Sequence, residues 1–197
     1  MAADDVHEDP IARFEEAFAR ASESESFDPT RAALATVDSG GRPAVRFVLV
    51  RRVSAEGFCF FTNYGSEKAR HLDATPHAAL AFHWASIDMQ VRVEGSVERL
   101  DAEGSDSYFA SRPRGNQIAA WASEQSRPLE SREVLETRFS EVQTRFEGRE
   151  VPRPDFWGGY RVVPRRLEFW ISRDDRLHDR WQYTRDADRW QVQRLQP

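Results

Sequence analysis

Apolar and polar residues alternate along much of this chain with the two-residue period of a strand. The first such run covers residues 33–37, and Asp38-Ser39-Gly40-Gly41 behind it is a turn signal. A second run spans 44–53, Glu56-Gly57 turns the chain, and a third spans 58–62. Residues 78–84 and 89–100 read as two more strands. In the latter, Val91, Val93, Gly95 and Val97 share one face and Arg92, Glu94, Ser96 and Glu98 the other. Strands near 160–163, 166–171 and 177–183 follow, with a fourth at 190–195.

Helical spacing is confined to a few segments. Asp9 can cap and Pro10 suits a first helical position, so Ile11, Phe14 and Phe18 fall on one face of a helix over 10–21. Residues 22–26 are polar and read as a loop. Ser66 caps a short helix to His71, and 101–111 forms another that Pro113 stops. In the helix predicted over 130–146, Leu135, Phe139, Val142 and Phe146 make the apolar stripe, and Gly148 ends it. Many short strands with a few helices predict an α+β fold, a closed antiparallel barrel with flanking helices, in which closure removes exposed edges. We expect an acidic N-terminal segment over 1–28 that carries the first helix, then one domain over 29–197 without repeats or an internal linker.

Composition narrows the function classes. A 197-residue chain that is 40% hydrophobic can bury a core. Its net charge of −5, with acidic residues crowded between Asp4 and Asp28, argues against a nucleic-acid partner. The single cysteine, Cys59, lies in the apolar run Phe58-Cys59-Phe60-Phe61 and is expected to pack rather than react. With no signal peptide, no membrane-length apolar stretch and no disulfide, a cytoplasmic location is expected.

The usual phosphate-loop, dinucleotide and nucleophile-elbow motifs are absent, and the five histidines lack a metal-site spacing, so no metal site is expected. The informative residues are cations in awkward places. Arg46 and Arg51 bracket an apolar strand and need anionic partners, a carboxylate or a phosphate equally well on that evidence alone. Gly65-Ser66 opens a helix with Lys68 in its first turn, an arrangement that suits an anion. Arg112 and Arg114 stand in Ser111-Arg112-Pro113-Arg114-Gly115-Asn116-Gln117, which reads as a loop. In Arg176-Leu177-His178-Asp179-Arg180, read as a strand, alternation puts Arg176, His178 and Arg180 on one face, with Trp170 one strand earlier. Several anion sites in a net-acidic chain point to small phosphorylated ligands.

Taken together, these strings resemble the pyridoxamine 5′-phosphate oxidase family. The resemblance rests on Asp28-Pro29-Thr30, Ala35 to Asp38, Arg46 to Leu49, Phe61-Thr62-Asn63, Gly65-Ser66 with Lys68-Ala69, and Gln90-Val91. It continues in Ser111 to Arg114, Gln117-Ile118, Ala120 to Ser123, Gln125-Ser126, Phe156 to Tyr160, Glu168-Phe169-Trp170, Arg176 to Arg180 and Arg194-Leu195, and so runs in one order from about Asp9 to Pro197.

The resemblance implies a homodimeric split β-barrel with FMN at the subunit interface. It implies FMN contacts at Arg46, Phe47, Val48, Leu49, Phe61, Thr62, Lys68, Gln90, Gln125, Ser126, Trp170 and Arg180. It places substrate contacts at Arg51, Tyr108, Arg112, Asn116, Arg176 and His178, the last two beside the reacting carbon. The implied reaction oxidises pyridoxine or pyridoxamine 5′-phosphate to pyridoxal 5′-phosphate, with oxygen as acceptor and peroxide as co-product. Three positions depart from the family pattern: Arg51 stands where Lys is usual, Asn116 where a small residue such as Ser is usual, and Glu67 where many relatives have a cation. The substrate-side departures keep open a related oxidase of the phenazine-pathway type, and a second alternative is a non-catalytic flavin- or pyridoxal-phosphate-binding protein, which would keep the anion-binding arginines without needing Arg176 and His178.

Overall fold

The computed structural model describes residues 8–197, so Asp4 and Asp5 of the acidic stretch lie outside the described residues. Eight antiparallel strands form one sheet: β1 (Arg31–Val37), β2 (Pro43–Ser54), β3 (Gly57–Asn63), β4 (His77–Trp84), β5 (Met89–Arg99), β6 (Trp157–Ile171), β7 (Asp179–Asp186) and β8 (Arg189–Leu195). Their order is β3-β2-β1-β4-β5-β6-β7-β8, and β3 also pairs with β6. That extra pairing closes six strands into a barrel, and β7 and β8 extend from it as a flap. This is the expected split barrel.

Five helices flank the barrel: α1 (Pro10–Ser24), α2 (Glu67–Ala74), α3 (Ala102–Ser111), α4 (Arg114–Ala122) and α5 (Arg132–Arg145). Asp9 caps α1 as expected, its side chain accepting from the Ile11 N–H. The helix runs on to Ser24, through residues read as loop. Ser22 and Ser24 return their hydroxyls to the carbonyls of Phe18 and Arg20, which satisfies them without ending the helix. Ile11, Phe14, Ala17 and Ala21 pack into the barrel core. Phe14 meets Phe58 and Phe82 edge-on, at 4.9 and 5.0 Å between centroids.

Two other expectations need correction. The strands expected at 160–163 and 166–171 are one strand, β6. It stays continuous across Pro164 because Gly95 opposite takes up a register shift; a Cβ there would lie 1.9 Å from the Val163 carbonyl oxygen. The segment Arg114 to Gln117 is the first turn of α4, with Pro113 just before it, and not loop.

Cys59 is buried beside Arg161, and burial pushes its thiol pKa up, as packing rather than reactivity requires. Among the described residues no helix is long and apolar enough to cross a membrane.

If α1 belongs to the barrel core, Phe14→Ala should cost about 3–5 kcal/mol, the range for emptying a buried aromatic site. Denaturant unfolding monitored by tryptophan fluorescence would read this, and a loss below about 1 kcal/mol would show α1 to be a detachable appendage.

Candidate active site

A cavity of about 580 Å³ opens where β2, β3, α2, α3 and the segment after α4 meet. Lys68 lines one end of it, and Arg46, which is not part of the lining, stands close enough for its charge to act on Lys68. Arg46 on β2 donates to Thr36 Oγ1 at 2.5 Å and to the Ala44 carbonyl at 3.2 Å, which fixes the guanidinium against β1. Lys68 is in the first turn of α2, a helix capped by Ser66. Its Nζ donates to Gln125 Oε1 at 2.7 Å and Thr62 Oγ1 at 3.1 Å. Thr62 itself donates to Gln125 Oε1 at 2.7 Å. All these partners of Lys68 are neutral. Burial first, and the Arg46 charge second, pull its pKa down to about 8. The Lys68 amine is therefore short of compensating negative charge.

The other end of the cavity has an aromatic wall. Phe61 on β3 stacks on Tyr108 of α3, 3.9 Å between centroids, and lies near-parallel to Trp157 of β6 at 5.7 Å. The Arg112 guanidinium lies 4.7 Å above the Trp157 ring. Its NH1 is buried without a hydrogen-bond acceptor, and desolvation lowers the Arg112 pKa. A buried donor aimed at no acceptor is costly unless a ligand supplies one. Asn116 lines the cavity from the first turn of α4. Arg51 also lines it and pairs with Asp28 at 3.2 Å. Burial would raise the Asp28 carboxyl, but hydrogen bonds from Thr30 and the Arg51 charge hold it below its ordinary value. Phe47, Val48 and Leu49 complete the lining from β2, with Phe47 71% exposed and its neighbour Val45 70% exposed.

Ser126, next to Gln125, takes a positive φ of 69° and is not part of the cavity lining, and five other expected residues form a second group. Gln90 on β5 pairs with Trp170 on β6, which pairs with Arg180 on β7. Buried Glu168 holds Arg180 through Nε at 2.8 Å and Arg92 at 3.1 Å. Arg176 and His178 are not on a strand. They belong to a turn before β7, where Asp175 and Arg176 take positive φ angles of 54° and 61°. Alternation therefore places only Arg180 as expected. His178 folds back onto Trp170, 4.5 Å between ring centroids, and its Nδ1 accepts from the Arg173 N–H at 3.2 Å.

None of these five lines the cavity. The reason is geometric: β2 and β5 are three strands apart around a six-stranded ring, so their outer faces point in opposite directions.

Sequence reading missed Trp157 as a cavity wall and Glu168 and Asp179 as the carboxylates that hold the second group. Trp157 reaches Phe61 only through the β3–β6 pairing, which no local pattern reveals. The acidic neighbours of Trp170 and Arg180 were visible, but their burial was not.

Comparison with known proteins gives this arrangement a family. A profile described as pyridoxamine 5′-phosphate oxidase matches residues 19–146, and one described as the pyridoxine 5′-phosphate oxidase C-terminal dimerisation region matches residues 157–197. The chain belongs to the pyridoxamine 5′-phosphate oxidase family. It is 51% identical over 197 residues to a pyridoxine/pyridoxamine 5′-phosphate oxidase of Rubrobacter xylanophilus, covering all of this chain and 91% of that one. It is 55% identical over 189 residues to one of Anaeromyxobacter dehalogenans, covering 96% of each. Among solved structures it resembles PhzG from Burkholderia lata 383 in complex with tetrahydrophenazine-1-carboxylic acid, with a TM-score of 0.93, 32% identity, and coverage of 98% of this chain and 95% of that one. The family's profiles span both residue groups of the site.

The Lys68 environment predicts a pH dependence. An anion bound at the cradle favours the charged amine, so its bound pKa lies above the free value of about 8. Binding of a phosphate monoester should then be full below that pH and weaken as pH rises above it, with proton uptake in that window. Calorimetry in buffers of different ionisation enthalpy would measure the uptake, and Lys68→Met should abolish it. Affinity independent of pH between 7.5 and 9.5 (a window of about two units around the free value) would remove Lys68 from the cradle.

Proposed function

We propose that this chain is an FMN-dependent oxidase that converts pyridoxine or pyridoxamine 5′-phosphate to pyridoxal 5′-phosphate, with oxygen as electron acceptor and hydrogen peroxide as co-product. The observation that carries this reading is the cavity lined by Arg51, Lys68 and Arg112, the last two without a carboxylate partner among the described residues, in a chain 51% and 55% identical to proteins named for that activity.

The residues fit two phosphorylated, flat ligands. Lys68 and Arg46 suit the FMN phosphate: among the described residues Lys68 donates only to neutral acceptors, and Arg46 is fixed through NH1 by neutral acceptors while its NH2 meets the exposed Glu67. Thr62, Gln125 and Ser126, with Gln90 from the second group, offer polar atoms to the flavin edge. Phe47 to Leu49 offer strand backbone and apolar surface. Arg112, with its unfilled donor, suits the substrate phosphate beside Tyr108, Asn116 and Arg51. When bound, FMN supplies the hydride acceptor and the route of the electrons to oxygen.

The chain's own residues bind and orient. Alcohol oxidation removes two hydrogens from the substrate at C4′, and oxygen takes up both as hydrogen peroxide. The amine also consumes one water and releases ammonia. Arg176 and His178 would lie against the pyridine ring, and Trp170 and Arg180 against the cofactor.

Because those residues and Gln90 sit on the opposite wall, a complete site needs a second copy of the chain. Two observations support a homodimer: Val45, Phe47 and Leu49 form an exposed apolar stripe on β2, and residues 157–197 match a dimerisation region. Val45→Glu should shift the chain to monomer in light scattering and weaken FMN retention, although Val45 does not line the cavity. A dimer that survives this change would place the interface elsewhere.

The decisive assay loads the chain with FMN, adds pyridoxine 5′-phosphate in air, and follows aldehyde and peroxide together. Equal amounts of both over many turnovers are expected. His178→Ala and Arg176→Leu should each slow turnover by about tenfold or more while FMN stays bound. Parent-like turnover in either variant would remove that residue from the site. A second reading, a related oxidation of another substrate, is favoured by the likeness to PhzG in its tricyclic-ligand complex. Turnover of a reduced phenazine carboxylate, and of neither vitamin B6 phosphate, would establish it.

A further inference from the structure

Among the described residues, one carboxylate pairs with Arg46 beside Lys68. Glu67 is the first residue of α2, adjacent to Lys68, and its Oε2 lies 3.5 Å from Arg46 NH2. The Glu67 side chain is 55% exposed and that of Arg46 19%, so the anion is the movable partner and the cation the fixed one. The other bonds of Arg46 explain the difference. Its NH1 is tied to Thr36 Oγ1 and to the Ala44 and Leu34 carbonyls, which leaves NH2 as the arm that Glu67 holds.

We infer that Glu67 is a built-in competitor for the cofactor phosphate: it occupies Arg46 in the empty site, must release it when phosphate binds, and then stands beside a dianion of its own sign. The inference rests on the proposed reading of Arg46 and Lys68 as the FMN-phosphate cradle. Two effects follow, and both weaken FMN. The Arg46–Glu67 pair is lost on binding, and the displaced carboxylate stays on the same helical turn as Lys68, where it repels the phosphate. The same carboxylate partly offsets the mutual repulsion of Arg46 and Lys68, since its charge raises the Lys68 pKa while Arg46 lowers it. Glu67 thus makes the empty cradle easier to fold and the filled cradle easier to empty. It acts only through charge at the phosphate and leaves the flavin ring untouched.

The test is affinity and not turnover. Quenching of flavin fluorescence gives dissociation constants of the full chain for FMN and for riboflavin, which has the same ring and no phosphate. Removing one charge near a partly exposed anion should tighten FMN by about five- to tenfold in Glu67→Gln, and by more in Glu67→Lys. Riboflavin affinity should stay within about twofold, and the FMN gain should shrink between 0.05 and 1 M salt as the Debye length falls to about 3 Å. Damage to the fold does not produce a selective gain, so tighter FMN binding in both variants cannot come from unfolding. Unchanged or weaker FMN binding would overturn the inference, as would an equal gain for riboflavin. If the parent chain binds FMN no better than riboflavin, the phosphate cradle itself fails and the inference falls with it. A clear parent preference for FMN without an effect of Glu67 would overturn the inference alone.

Discussion

The pairing of β3 with β6 is the constraint on which the site depends. Six rungs, from Phe58↔Val162 to Asn63↔Trp157, turn an open sheet into a ring. The last rungs bring Phe61 and Trp157 together as two plates of the aromatic wall. The chain leaves β3 at Asn63 and enters α2 almost at once, so Thr62 and Lys68 stay within hydrogen-bonding distance. On the other strand the ring accepts α3 at close range. The Gly159 N–H donates to Ser105 Oγ, and a Cβ at Gly158 would overlap the Tyr64 hydroxyl. Tyr108 and Arg112 are carried on that same helix and at its C-terminal cap. Closure therefore sets the position of both ends of the cavity.

Charge compensation separates the residues that hold the site from those that wait for a ligand. Arg180 meets buried Glu168, and Asp179 is clamped by Arg173 at 2.7 Å and by Arg194. Hydrogen bonds from Arg173 and Arg194, against the opposing effect of burial, hold the Asp179 carboxyl below its ordinary value. Among the described residues Lys68 and Arg112 have no such partner, and desolvation lowers the pKa of both. A fold that buries cations without anions gives up stability at those positions. In the proposed site a bound phosphate would return it, so the same charges that weaken the empty chain would provide affinity and selectivity for phosphorylated ligands.

Local pattern carried most of the secondary structure. Alternation, or a continuous apolar run in the doubly buried β3, located all the barrel strands within a few residues. It failed at two prolines, one overridden by a long-range partner and one misread locally. Pro164 looks like a break until Gly95 is seen opposite, and Arg114 looks like loop until Pro113 is seen to start a helix. The cavity's cations were legible as charges in apolar surroundings. The division of the site between two walls of the barrel was not, because strand order is a property of the closed ring. That arrangement explains why the functional strings are scattered from Arg46 to Arg180.

The turn before β7 shows why Arg176 and His178 left the strand. On a strand, alternate residues stand about 7 Å apart in a row and face the same way. The turn instead folds His178 back over Trp170, at the cost of two non-glycine residues with positive φ. Asp179 and Glu168 anchor the strand that follows, which keeps that strain from relaxing. The Arg173 N–H donates to His178 Nδ1, so that nitrogen carries no proton, and in the neutral ring the proton is on Nε2. In the proposed site His178 thus arrives as a hydrogen-bond donor. A donor would suit the hydroxyl oxygen carried by the substrate ring better than it would suit proton abstraction, so in the proposed site His178 would orient the pyridine ring rather than act as a base.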